Sequence, residues 1–85
     1  MVLATSLFSE AALRFVLLGT ATGALTALVA LNREVELELH IRAALRNGLT
    51  RAEITEVLLQ SAVYCGVPAA NAAFATFQRV LDDAV

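Results

Sequence analysis

The chain has 85 residues, 59% apolar and 16% charged, with six cations against eight acids and a formal net charge of −2. That length holds one small domain. All six cations are Arg, and they form no basic stripe of the kind that binds phosphate backbones, so a nucleic-acid partner is excluded. A lone cysteine, Cys65, excludes an intrachain disulfide, a CxxC redox pair and a cysteine zinc cluster, and fits a reducing, cytoplasmic setting.

Mean hydropathy is +0.74. A compact monomer of this mass exposes roughly 4,900 Å², a large surface for so few charges to cover. The apolar excess therefore predicts burial between subunits, because obligate interfaces resemble a domain core cut in half. A homo-oligomer is expected.

In chain order, Ser9 is placed to cap a first helix with Glu10 in its opening turn, and the apolar run continues to about Leu31. Phe15 to Leu31 is uncharged for 17 residues, the short end of the range for a membrane span or a signal-peptide core. Glu10 and Arg14 in the run-up, three threonines and two glycines dilute that signal, so a helix buried in an oligomer is the expectation and a membrane anchor the remote alternative. Gly19 and Gly23 would allow close helix approach in either medium.

Asn32 breaks the first helix. A second runs from about Arg33 to Asn47, with Leu37, Ile41, Ala44 and Leu45 on one face and Gly48 as the left-handed residue past its end. Val35 to Ile41 alternates as a strand would, but its Glu-, Leu- and Ala-rich surroundings favour helix. Thr50-Arg51-Ala52-Glu53 has the form of a capping box, each side chain taking one otherwise unpaired backbone N–H.

The third helix is expected to bury Ile54, Val57, Leu58, Ser61, Ala62 and Cys65, and Gly66-Val67-Pro68 ends it. Pro68 suits the first turn of a fourth helix carrying Ala72, Phe74, Phe77, Val80 and Leu81 toward Asp83. The fold class is all-α, in one domain over residues 1–85, with neither an internal repeat nor a low-complexity linker.

The chemistry centres on Glu36 and His40, four apart and so on one helix face. A carboxylate beside an imidazole can orient the ring and favour its charged form, which suits a general acid working near neutral pH, although the same spacing also serves as an ordinary solvated pair. Arg33, Arg42 and Arg46 offer an anion-binding edge or, with Glu34, Glu36 and Glu38, a solvated face. Tyr64 has an apolar ring and a hydroxyl that needs a partner when buried, which equally describes core packing. Cys65 reads as a small hydrophobe.

The segment ALNREVELELHIRAALRNGLTRAEITEVLLQSAVYCGVPAANAAF resembles the carboxymuconolactone decarboxylases: an acidic-Leu-x-x-His run, R-N-G-L-T, E-I-x-E-V-L-L-Q and Y-x-G-V-P-A-A-N-A-A. It covers about half the chain, mainly residues 30–74. The resemblance implies an alkylhydroperoxidase D-like helical bundle, assembled as trimers or hexamers. In the redox branch of that superfamily a C-x-x-C-x-x-x-H motif occupies this helix; here Arg33, Glu36 and His40 stand at its positions, so thiol peroxidase chemistry is not supported.

What the resemblance implies instead is decarboxylation without cofactor or metal, converting 4-carboxymuconolactone, a small lactone carboxylate, to 3-oxoadipate enol-lactone in the protocatechuate branch of the β-ketoadipate pathway. His40 would be the proton donor, Glu36 its orienting partner, and Arg33 or an arginine from another subunit the anion clamp, with Tyr64 at the substrate. Met1 to Thr26 does not resemble the family, and Thr20 falls where family members carry an arginine about twenty residues before the histidine. A shortened, non-catalytic paralogue acting as an oligomeric scaffold or binding protein is the alternative.

Overall fold

In the computed structural model, which describes residues 10–84, four helices follow one another: α1 (Glu10–Ala30), α2 (Glu34–Arg46), α3 (Arg51–Cys65) and α4 (Val67–Ala84). Among the described residues there is no strand, and the Val35 to Ile41 stretch is helical. The Ser9 cap expected for α1 lies outside the described residues.

Each turn has a local chemical cause. Asn32 is left-handed at φ 57°, a conformation that asparagine tolerates better than most residues. Its N–H donates to the Val29 carbonyl at 3.2 Å and the Arg33 N–H to Leu28 at 3.0 Å, the paired bonds of a Schellman ending. Gly48, at φ 102°, repeats the arrangement after α2, with Gly48 N–H on the Leu45 carbonyl at 3.1 Å and Leu49 N–H on Ala44 at 3.0 Å. At the start of α3 the capping box forms in both directions: Glu53 N–H donates to Thr50 Oγ1 at 3.1 Å and Thr50 N–H to Glu53 Oε1 at 2.8 Å.

Gly66 joins α3 to α4 alone. Its N–H closes α3 on the Ala62 carbonyl at 3.0 Å, and its own carbonyl receives the Ala70 N–H at 3.1 Å to open α4. Pro68 is the second residue of α4, where a missing N–H costs nothing.

With turns this short, successive helices run antiparallel. α1 packs against α2 and α3, and α4 against the same two. Pairs ascending together, Arg14 with Glu53 and then Thr26 with Ser61, show that α1 and α3 are parallel. The core takes Leu25 and Val29 from α1, Leu37, Ile41 and Ala44 from α2, Leu49 from the turn, Ile54, Val57 and Leu58 from α3, and Ala73, Phe77 and Val80 from α4. Each larger side chain contributes about 1.5–3 kcal/mol by leaving water. Ala62, Cys65, Phe74 and Leu81 are only half-buried.

Polar contacts complete the packing. The buried Ser61 hydroxyl lies 3.0 Å from Thr26 Oγ1 and 2.9 Å from the Val57 carbonyl. Arg42 joins α2 to α4, donating to Asp83 at 2.8 Å and Glu38 at 3.2 Å, with Arg79 3.8 Å from Glu38. Donating to Asp83, and next to Glu38, raises the Arg42 pKa above its ordinary value.

α1 differs from the other helices in how little of its apolar surface is buried. By length and composition it could cross a membrane, and Leu25 and Val29 are its only buried residues.

Candidate active site

His40 lies on the face of α2 that looks toward α1. Between the two helices is a cleft of about 140 Å³, lined by Leu17, Thr20, Ala21, Ala24 and Leu25 of α1 and by His40, Ala43, Ala44 and Asn47. The cleft exists because small residues occupy the facing positions: four alanines leave the helices apart where larger side chains would close the gap. Its polar groups are the Thr20 hydroxyl, the His40 imidazole and the Asn47 amide.

The helix itself holds the His40 ring. Nδ1 is 2.8 Å from the main-chain carbonyl of Glu36, one turn back, so Nδ1–H donates and Nε2 becomes the working nitrogen. Nε2 makes no hydrogen bond with the described residues. The Glu36 carboxylate sits 3.6 Å from Arg33 Nε instead, so the expected meeting of Glu36 and His40 occurs through the main chain.

The structure does not bring the other two predicted residues to this cleft. Arg33 occupies the N-cap position of α2, without a side-chain cap bond, and lines a separate shallow hollow with Leu28, Leu37 and Ala73. Tyr64 is 81% exposed and borders the α1–α3 groove with Thr22, Gly23, Thr26, Gln60 and Ser61. Arg42 is committed to Glu38 and Asp83, and Arg46 lines a hollow on the α4 side with Leu45 and Val80. Among the described residues, no group of three His, Cys, Asp or Glu side chains could hold a metal ion.

Thr20 does reach the cleft. The position at which the family pattern calls for arginine thus faces His40, but with a neutral hydroxyl. Asn47, seven residues beyond His40 and so on the same helix face, also lines the cleft, though no local motif marks it. Arg14, in sequence only a charge diluting an apolar run, donates through its guanidinium to the Gly48 carbonyl and the Glu53 carboxylate at the Asn47 end of the cleft.

Comparison with known proteins finds two relatives named as decarboxylases. The 4-carboxymuconolactone decarboxylase of Acinetobacter baylyi is 45% identical over 56 residues, covering 66% of this chain and 42% of that protein. The nitrosuccinic acid decarboxylase of Metarhizium robertsii is 45% identical over 51 residues, covering 60% of this chain and 36% of its own length. The chain therefore spans about two fifths of the length of these curated relatives. No solved structure matches. The model of the carboxymuconolactone decarboxylase family matches residues 22–79, which take in His40, Asn47 and the later half of α1, whereas Leu17, Thr20 and Ala21 of the cleft precede it. With its all-α bundle and its histidine-bearing second helix inside that span, the chain belongs to the carboxymuconolactone decarboxylase family.

Proposed function

We propose that the chain is a cofactor-free carboxy-lyase acting on a small carboxylate next to an electron sink, with 4-carboxymuconolactone as the preferred substrate. The two relatives' named substrates share that chemistry. CO₂ lost from the carbon γ to a conjugated lactone carbonyl leaves a dienolate, and CO₂ lost beside a nitro group leaves a nitronate. In both, the pair from the broken C–C bond is delocalised without a cofactor. What remains is to hold the carboxylate, stabilise the anion and return a proton to carbon.

The observation that carries this reading is His40 in its cleft, with Nδ1 held by the Glu36 carbonyl and Nε2 open. In the imidazolium form Nε2–H delivers the proton to the ring carbon α to the lactone carbonyl, and solvent restores it. The half-open α1–α2 cleft gives the substrate access, and its alanines and leucines exclude water from one side of it.

The test is direct assay of the purified chain with 4-carboxymuconolactone, following substrate loss. His40→Gln is expected to lower turnover by about 10²-fold or more. Glu36→Gln keeps the main-chain carbonyl and should cost far less. An active wild type with an equally active His40→Gln variant would remove His40 as proton donor.

A second reading, a non-catalytic family member serving as a scaffold or binding protein, is favoured by Thr20 in the cleft where family members have arginine. An inactive chain beside an active longer family member under the same conditions would establish it. In either case we propose a homo-oligomer in the cytoplasm, whose partner subunits cover the apolar surface of α1.

A further inference from the structure

We propose that Arg14 anchors the substrate's distal carboxylate at the far end of the His40 cleft, a role that rests on the decarboxylase reading. Arg14, Leu17, Ala21 and Ala24 recur at helical spacing on one face of α1. The last three line the cleft, so Arg14 stands one turn beyond Leu17 at its mouth. α2 ends at the same place: Asn47 lines the cleft, and the next carbonyl, that of Gly48, accepts from Arg14 Nη1.

The guanidinium is held rather than used up. Nη1 is on the Gly48 carbonyl and Nη2 on Glu53, which leaves three of the five N–H donors of an arginine. The side chain is 42% exposed, so a ligand can reach those donors. Two fixed bonds orient the planar fork before anything binds, which lowers the ordering cost of gripping a carboxylate. No arginine lines the cleft itself; Arg14 meets it from beyond Leu17 and Asn47, through its bond to the Gly48 carbonyl.

Seven residues from His40 to Asn47 span about 10 Å of helix. A carboxylate sits about 2.8 Å from a guanidinium nitrogen, and the reacting carbon about 3 Å from the imidazole. The acetate arm and ring of 4-carboxymuconolactone supply the remainder, five bonds of about 1.5 Å each folded at their natural angles. Arg14 would hold the acetate arm while His40 faces the ring carbon that takes the proton.

The test uses muconolactone, the same lactone and acetate arm without the carboxylate that is lost, alongside its methyl ester. Binding is followed by NMR at the His40 imidazole and the Arg14 Nε–H. The wild-type chain is expected to bind the acid about tenfold or more tighter than the ester, with the Arg14 signal moving only for the acid. Arg14→Gln should erase that preference, so that acid and ester bind alike, whereas a merely structural role would weaken both and keep the preference. A wild type that binds neither probe or both equally, an Arg14→Gln chain that keeps the preference, or an Arg14 signal that stays still while His40 moves would overturn the proposal. The wild-type Arg14 signal decides the matter even where the variant does not fold. Failure to decarboxylate 4-carboxymuconolactone with the acid preference intact would refute the proposed reaction and leave Arg14 standing as a carboxylate site.

Discussion

Glu53 has its pKa held below the ordinary glutamate value, first by the Thr50 backbone N–H and then by the Arg14 guanidinium. A carboxylate whose folded pKa is depressed contributes stability above its unfolded value, about 4.3, and loses it as pH falls through the folded one. Urea midpoints are therefore expected to drop as pH is lowered from about 5 toward 3. Glu53→Gln should flatten that acid limb; an unchanged limb would mean that the carboxylate titrates alike in the folded and unfolded chains. At this scale the sequence is only partly readable. The spacing of Glu36 and His40 places both on one face, but which atom of Glu36 the ring reaches depends on rotamers: the i−4 carbonyl lies within reach of Nδ1, while the longer carboxylate swings toward Arg33. Arg14 was harder still, because its partners are 34 and 39 residues away and nothing in the local pattern names them.

Helix boundaries are where the sequence is most legible, since their causes are local. The Thr50–Glu53 box, the glycine after α2 and the asparagine after α1 each satisfy backbone groups within a few residues, so composition alone announces them. Gly66 is the most demanding of these positions. Its φ of 91° and ψ of 163° lie in a region that is essentially closed to residues with a side chain. Although a Cβ there would meet nothing nearer than Pro68 Cδ at 3.9 Å, Gly66→Ala should lower stability by about 1–3 kcal/mol through backbone strain alone. A thermal midpoint equal to wild type would show that the α3–α4 turn relaxes to accept it. α1 is the element least determined by its own residues. Its run is apolar all round, so no face is marked for the core, and packing selects Leu25 and Val29 while leaving Phe15 and Val16 outside.

For the whole molecule, that exposed surface is the dominant unpaid free energy. Phe15 is 78% exposed near the start of α1 and Val63 73% near the end of α3, and large apolar side chains left outside a small core mark interaction sites. Sedimentation at micromolar concentration is expected to find a species heavier than the 9.0 kDa chain; a soluble monomer would end the oligomer proposal, and flotation with lipid vesicles would assign α1 to a membrane instead. The bundle architecture could be read in advance because helix periodicity and turn chemistry suffice for it. The cleft could not, since it arises from alanines on two helices whose facing is settled only by tertiary packing.

One oxygen, Glu53 Oε1, receives both the Thr50 N–H that begins α3 and the Arg14 guanidinium that fastens α1. Secondary structure and tertiary docking therefore share a single acceptor, and their free energies do not add. Removing the cap lets the carboxylate wander from Arg14, and removing Arg14 loosens the cap, so the second loss costs less than it would alone. That shared joint makes the start of α3 and the anchoring of α1 one cooperative event.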